Sequence, residues 1–482
     1  MQSKNKLIFS FSGIRGIAGK NLNFEISKKI AIAFGLWFNE SDKRVIIGKD
    51  TRPSSEIIEK GIIEGLLWNG FEIISVGVCP TPVIMYSKRS LNLPCGIIIT
   101  GSHNPQEWNG LKIIVNENYL SNDDLEKIFI LVDGIDLESY PVNKSQIQKL
   151  IKNFNPIPNY IQTLYNNIDV NNVKGKNELR VVIDTGAGTG KLVTPQILRA
   201  LGCKVKEINA DFYINNSFPR EIEPIEKNLR DLVMEVWQGK YDIGFAHDTD
   251  ADRLAIIGEN GVCYPEDVSL ALIADYIMNQ YQKKSKEIIF ITNLASSLMF
   301  EVLVEKYNAR IIRTPVGEKF LIEEMNKLLA NINRNSEDVL IFGGEGSCGG
   351  VMFPIFNNTR DGIFAAAKIV EILVTTGEKL SKLVSKLPRF YSYRQKIEIG
   401  KKNINSIIKL TKMELIDEGE LVQEIEKDLR FGKNLEWFVL IHPSNTEPII
   451  RIISEAKTDS LARIYCETTA ELVRLVISRL KN

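Results

Sequence analysis

The sequence predicts an α/β protein of several domains, and three features carry that expectation. Short runs rich in Ile and Val alternate with segments of helical apolar spacing from Lys6 as far as Val374, the rhythm of sheets covered by helices. The chain has 482 residues, too many for one core, and domain-size statistics divide such a length into roughly three or four domains. Beyond Leu387 the β-loop-α rhythm stops, so the C-terminal part reads as a separate α+β domain.

In order, Lys6 to Ser10 reads as a strand, followed by a loop from Phe11 to Gly19 that presents Arg15 between glycines. Glycine lets a backbone approach a ligand closely, and arginine offers a planar fork to phosphate oxygens. Helices are expected over Phe24 to Phe38 and Glu56 to Leu67, with strands at Arg44 to Gly48, Phe71 to Val78 and Gly96 to Thr100. The segment Lys49-Asp-Thr-Arg-Pro53 reads as the loop leaving the first of these strands. Pro141 to Asn159, rich in Asn, Lys and Pro, reads as a domain boundary.

A second unit opens at Leu179 with a strand and a glycine-rich turn, Gly186 to Gly190. The nucleotide pattern G-x-x-x-x-G-K-[ST] needs four residues between its glycines; here there are three, and Leu192 stands where a hydroxyl should follow. The segment therefore reads as a βα turn. Further on come a helix Val268 to Tyr281, a strand Glu287 to Thr292, a helix Ser297 to Tyr307 and a strand Ala309 to Arg313. Leu387 to Tyr393 reads as a linker, and the chain ends in a helix from Ser460 to Leu480.

Composition narrows the function. Sixty basic residues balance sixty acidic ones, which leaves no electrostatic footprint for nucleic acid or an anionic membrane. No stretch approaches a membrane span, and the first six residues lack the apolar core of a signal peptide; a cytoplasmic protein is expected. The six cysteines show no C-x-x-C spacing, which argues against structural zinc or a disulfide framework.

Chemistry concentrates in four loops. The apolar run Gly96 to Thr100 stops at Gly101-Ser102-His103-Asn104-Pro105, and a second strand from Leu111 brings Lys112 back towards it. A reactive hydroxyl, Ser102, thus sits where parallel strands place ligands. Between two further apolar runs lie Asp248, Asp250 and Asp252; three like charges at alternate positions are unfavourable unless a cation sits among them, and oxygen ligands suit Mg²⁺. A strand from Val339 ends in glycines around Glu345 and Ser347, groups able to hydrogen-bond sugar hydroxyls. Finally, Ser444, Asn445 and Thr446 form a polar turn between Trp437 to Ile441 and Ile449 to Ile453, a nest for a phosphate dianion. All three histidines, His103, His247 and His442, fall in or beside such loops.

In their order and spacing these four motifs, Ser102-His-Asn-Pro, Asp248-x-Asp-x-Asp-Arg, Glu345-Gly-Ser and Pro443-Ser-Asn-Thr-Glu-Pro, resemble the α-D-phosphohexomutase superfamily over the whole chain. The resemblance implies three similar βα domains with mixed sheets and a C-terminal TATA-box-binding-like domain, forming a heart around a central cleft. The implied divisions are 1–153, 154–257, 258–384 and 385–482. It implies interconversion of hexose 1-phosphate and 6-phosphate through a phosphoserine at Ser102 and a hexose 1,6-bisphosphate, with a phosphomannomutase or phosphoglucomutase expected first and a phosphoglucosamine mutase as the alternative. Ser102, Lys112, Arg15 and His103 form the implied catalytic group, Lys112 as acid or base on the sugar hydroxyl. Ser102, Asp248, Asp250 and Asp252 would hold Mg²⁺, while Arg15 and Arg253 contact the phosphoserine. Glu345, Ser347 and Gly317 would bind the sugar, and His442, Ser444, Asn445, Thr446 and Arg451 its phosphate. A monomer or homodimer acting on a small hexose phosphate is expected.

Two departures stand out: His442 occupies a position where the family usually has arginine, and the sugar loop lacks the histidine many members carry after Ser-Gly. Two other readings compete. Asp248-Thr-Asp250 after an apolar strand also resembles a haloacid-dehalogenase-type phosphatase, though that motif normally opens its fold. A non-catalytic sugar-phosphate-binding protein is the other.

Overall fold

The computed structural model describes residues 7–10, 13–141, 150–176, 178–213, 215–284, 287–331, 338–346, 349–400, 402–444 and 448–480. They form two compact units, Met1–Ile273 with Cys348–Val384 and Ala274–Ser347 with Ser385–Asn482.

The first unit contains two sheets. In the first, β1 (Ile8–Ser10), β2 (Gly13–Ile17), β3 (Arg44–Lys49), β4 (Glu72–Val78), β5 (Cys95–Ile99), β6 (Trp108–Val115), β7 (Asn118–Tyr119) and β8 (Ile151–Asn153) take the order β1-β2-β6-β5-β3-β4-β8, with β7 on β6. Strands β5, β3, β4 and β8 run parallel, and β1, β2 and β6 are antiparallel. Val45, Ile46 and Ile47 of β3, like Ile97, Ile98 and Ile99 of β5, are buried, the continuous apolar run of a strand covered on both faces. Helices α1 (Phe24–Trp37) and α2 (Ser55–Trp68) supply part of that cover. Asn23 caps α1 by accepting from Ile26 N, and Phe34, fully buried, stacks near Phe38 and Phe71. Burying such a ring stabilises the fold by about 2–3 kcal/mol.

One expectation is corrected here. The segment around Arg15 is strand β2, not a loop, because pairing with β6, Arg15 opposite Gly110, satisfies its backbone and outweighs the turn preference of its glycines. Ile151–Asn153, in the segment Pro141 to Asn159, is strand β8, parallel to β4 at the sheet edge.

The second sheet has the order β10-β9-β11-β12-β13, from β9 (Arg180–Asp184), β10 (Lys204–Ile208), β11 (Ile243–Ala246), β12 (Ala255–Gly258) and β13 (Cys263–Tyr264). Strands β10, β9 and β11 are parallel, whereas β11 and β12 form a hairpin whose connection carries the aspartates. A second hairpin, Val351–Phe353 with Asn357–Asp361, and the helix Gly362–Thr376 complete this unit. Both sheets thus deliver polar loops from the C-terminal ends of parallel strands, where open α/β sheets bind ligands.

The second unit holds parallel strands Glu287–Asn293, Arg310–Thr314 and Val339–Gly344, with the first between the other two. Its C-terminal sheet is antiparallel, in the order Tyr391–Glu398, Ile449–Ala456, Trp437–Pro443, Asp428–Lys433, Gln423–Ile425. Along Trp437–Pro443, Val439 and Ile441 pack with residues of helices Ile404–Asp417 and Asp459–Arg479, while Phe438 and Leu440 pack with Leu294 and Leu298. This period-two alternation buries both faces of one strand. Tyr391, expected in a linker, already belongs to this sheet. None of the described helices is long and apolar enough to cross a membrane.

Candidate active site

The serine loop leaves β5 at Thr100 and rejoins the sheet at β6. Ser102 is buried and adopts φ of 48°, a left-handed conformation that costs a non-glycine residue about 1–2 kcal/mol. Its Oγ donates to Asp248 Oδ2 at 3.1 Å and lies 3.4 Å from His103 Nδ1. That nitrogen accepts from Arg253 Nη2 at 2.8 Å. The Arg253 charge first, and burial second, push the His103 imidazole well below its ordinary range, so His103 stands as a neutral acceptor. Arg15, on β2, donates through Nη1 to Thr100 O at 2.5 Å, and burial lowers its pKa.

The aspartate loop follows β11. His247, fully buried, donates from Nδ1 to Arg253 O at 2.7 Å and accepts at Nε2 from Thr194 Oγ1 at 3.0 Å. Burial pushes it down to about 4. It is a neutral strut across the loop. Each aspartate uses Oδ2 towards the protein. Asp248 Oδ2 accepts from Ser102, Asp250 Oδ2 from Thr81 Oγ1 at 2.7 Å and Lys112 Nζ at 3.0 Å, and Asp252 Oδ2 from Lys112 Nζ at 2.9 Å and Arg360 Nη2 at 2.7 Å. The Oδ1 atoms of Asp248, Asp250 and Asp252 are buried without a hydrogen-bond partner among the described residues, and one ligand oxygen from each lies within 4.8 Å of the others.

An orphaned buried oxygen costs about 1–3 kcal/mol, and three carboxylates that each bring an oxygen within 4.8 Å of the others fit a hard divalent cation. Electrostatics agree. Burial first, then the charges of Asp250 and Asp252, raise the Asp248 carboxyl well above its usual range. Burial alone would raise Asp252 too, but Arg360, Lys112 and Arg253 outweigh it and hold that carboxyl down. Asp248 is therefore the carboxyl of the three whose ionised form the surrounding cations compensate least.

The remaining expected residues lie in the second unit. Glu345, buried, accepts at Oε1 from Asn293 Nδ2 at 3.0 Å, and Gly317, with φ of 135°, precedes the helix Glu318–Ala330. His442 engages Asp428 Oδ1 through Nδ1 at 2.6 Å and stands opposite Arg451 across paired strands. Ser444 N donates to Ile449 O at 3.0 Å, closing the turn. Ser347, Asn445 and Thr446 lie outside the described residues.

The structure adds four residues to those expected. Thr81 opens helix α3 (Thr81–Ser90) and binds Asp250 through both side chain and backbone N. Thr249 Oγ1 donates to Ser102 O at 2.6 Å, and Arg360 reaches Asp252 from a distant hairpin. Arg52 contacts the serine loop throughout. Only Arg52 had a signal in the sequence, an Asp-x-Arg directly after an apolar strand.

A serine hydroxyl set against three buried carboxylates, on loops at the ends of parallel strands, is the arrangement of a phosphoryl-transfer enzyme. The chain belongs to the phosphoglucomutase/phosphomannomutase family: residues 6–137, 158–261 and 265–391 match its alpha/beta/alpha domains I, II and III. It is 33% identical over 474 residues to a phosphoglucomutase/phosphomannomutase of Thermococcus kodakarensis, covering 97% of this chain and 98% of that protein. It is 32% identical over 482 residues to a phosphoglucosamine mutase of Methanocaldococcus jannaschii, covering 97% and 99%. Among solved structures, a phosphoglucomutase/phosphomannomutase family protein from Burkholderia thailandensis has the same fold, with a TM-score of 0.81 at 22% identity over 100% of this chain and 99% of that one. The four-domain phosphohexomutase fold expected from the motifs is therefore present.

Proposed function

We propose that this protein is a phosphohexomutase that interconverts hexose 1-phosphate and hexose 6-phosphate through a phosphorylated Ser102. The observation that carries the reading is the Ser102 hydroxyl 3.1 Å from Asp248, beside three buried aspartates that each bring one carboxylate oxygen within 4.8 Å of the others. Asp248, Asp250 and Asp252, with an oxygen on Ser102, would hold Mg²⁺, which supplies a counter-charge for the phosphoryl oxygens.

In the first half of the reaction a sugar hydroxyl oxygen forms a bond to phosphorus as the bond from phosphorus to Ser102 Oγ breaks. Lys112, neutral at this step, takes the hydroxyl proton as the 1,6-bisphosphate forms, and returns it to the departing sugar oxygen in the second half. The second half returns the other phosphate to Ser102 by the reverse exchange. Arg15 and Arg253 contact the phosphoserine, and His103 lies beside it as a neutral acceptor. Glu345, Ser347 and Gly317 recognise the sugar hydroxyls, and His442, Ser444, Asn445, Thr446 and Arg451 the distal phosphate. Glucose and mannose phosphates are the first expected substrates; relatives named phosphoglucosamine mutase favour glucosamine phosphate as the second reading.

The deciding experiment assays glucose, mannose and glucosamine 1-phosphates with Mg²⁺, each primed with its 1,6-bisphosphate. Formation of a 6-phosphate from at least one, and a phosphoenzyme stable to hydroxylamine and missing from Ser102→Ala, is expected. A hydroxylamine-labile phosphoenzyme that survives the substitution sinks the proposal, because it would place the phosphate on a carboxylate.

A further inference from the structure

The segment Lys49-Asp-Thr-Arg-Pro53 has no part in the reaction as drawn above, yet its arginine is among the most completely bonded side chains of the protein. Arg52 is fully buried at its side chain, as is its partner Asp50. A guanidinium has five N–H groups, and in Arg52 each has an acceptor. Nε donates to Asp50 Oδ2 at 3.1 Å. Nη1 donates to Pro105 O at 2.6 Å and Trp108 O at 2.9 Å, and Nη2 to Ser102 O at 2.8 Å and Asn104 O at 2.6 Å. Four of the acceptors are backbone carbonyls of a single loop, the one that carries Ser102. Asp50 holds the start of the same loop: Thr100 Oγ1 and Gly101 N both donate to its Oδ2, at 2.8 and 3.2 Å.

We propose that Arg52, anchored by Asp50, is the positioning residue of the serine loop. It holds the Ser102 backbone in its left-handed conformation and so aims Oγ at the aspartates. The inference rests on the reading of Ser102 as the phosphate carrier. A guanidinium that served the fold alone would distribute its donors over several elements. This one gathers the carbonyls of residues 102 to 108, and the interactions offset the strain at Ser102. Gly101 belongs to the same construction, since a Cβ there would meet Arg52 Nη2 at 2.8 Å and lie still closer to Cζ.

The construction recurs in the second sheet. Arg220 donates from Nε to Asp184 Oδ1 at 2.9 Å and from Nη2 to His247 O at 2.6 Å, at the root of the aspartate loop, with Nη1 on the carbonyls of Glu221 and Ile222. Gly186 faces it, where a Cβ would meet Nη2 at 2.9 Å. In both sheets a buried acid at or just past a strand end fixes an arginine, and the arginine fixes a functional loop.

The test uses the full chain with Arg52→Lys, which keeps the charge but loses the planar fork, and with Gly101→Ala, which keeps Arg52 and displaces its guanidinium. Three readouts are taken: kcat and KM for a hexose 1-phosphate that the wild type turns over, amide hydrogen exchange of the 100–108 peptide, and Tm. The expected result is a fall in kcat of about 100-fold with KM held within about twofold, and faster exchange confined to that peptide. Unchanged loop exchange with kcat retained overturns the proposal. So does a loss of kcat, KM and Tm together with faster exchange across the first sheet, which marks a role in folding alone. If the wild type turns over no hexose phosphate, the mutase reading fails; the exchange experiment still decides whether Arg52 orders the loop.

Discussion

The serine loop and the aspartate loop are built on opposite plans. In the first, a cation collects the backbone: four carbonyls bond to Arg52, and the Ser102 side chain is left with a single close carboxylate. In the second, the protein collects the side chains. Thr81, Lys112 and Arg360 take up Oδ2 of Asp250 and Asp252, and Oδ1 of all three aspartates is left over. One loop fixes where its chain runs so that one hydroxyl can react. The other fixes three carboxylates side by side and leaves one oxygen of each without a partner. A nucleophile needs aim, whereas a cation site needs unspent donors.

Substitutions can break this contrast from either side. Removing the hydroxyl has the largest effect: Ser102→Ala should lower mutase kcat by at least about a thousandfold while weakening Mg²⁺ binding, read by calorimetry, much less than loss of a carboxylate ligand does, because three aspartates remain. Asp248→Asn should do the converse first, weakening Mg²⁺ binding by about 100-fold with the serine loop's hydrogen exchange unchanged. If the two substitutions have indistinguishable effects on metal binding, the division of labour is wrong.

A pH experiment sharpens the comparison. His247 is held neutral in the folded state at about 4, below the ordinary value near 6.5 for an exposed histidine. The unfolded chain therefore takes up the proton first, so the stability this group contributes is complete above about 6.5 and is lost as pH falls towards 4. The loss amounts to about 3 kcal/mol at most. His247→Gln, which cannot titrate, should flatten the fall in Tm across that window. An equally steep profile in the variant would show that the strut is not the acid-sensitive element.

The smallest effect is expected in the second unit, where His442 follows neither plan, its ring being oriented by Asp428. Replacing it by a permanent cation, His442→Arg, should lower KM roughly threefold with kcat little changed; a KM that rises or stays level removes His442 from the phosphate site.

The sequence makes some of this visible and hides the rest for physical reasons. Alternate aspartates between two apolar strands announce a charge cluster, and Ser102 announces itself by the abrupt end of β5. Asp-x-Arg after β3 marks Arg52, but what it binds is hidden, because its acceptors are backbone carbonyls about fifty positions away, which no side-chain pattern records. Arg360 is hidden likewise, since it meets Asp252 only across 108 positions of chain. Arg15 is visible, but its setting misleads: Gly-x-Arg-Gly has the composition of a turn, and only the partner strand β6 makes it a strand.

The bond from Thr249 to the carbonyl of Ser102 has one more implication. That oxygen is gripped by Arg52 from one side and by the aspartate loop from the other. Between the two phosphoryl exchanges something must turn end for end, and a residue pinned on both flanks is a poor pivot. On the proposed reading of Ser102 as the phosphate carrier, the reorientation falls to the bisphosphate itself, and Ser102 would be the fixed post past which both ends of the sugar swing.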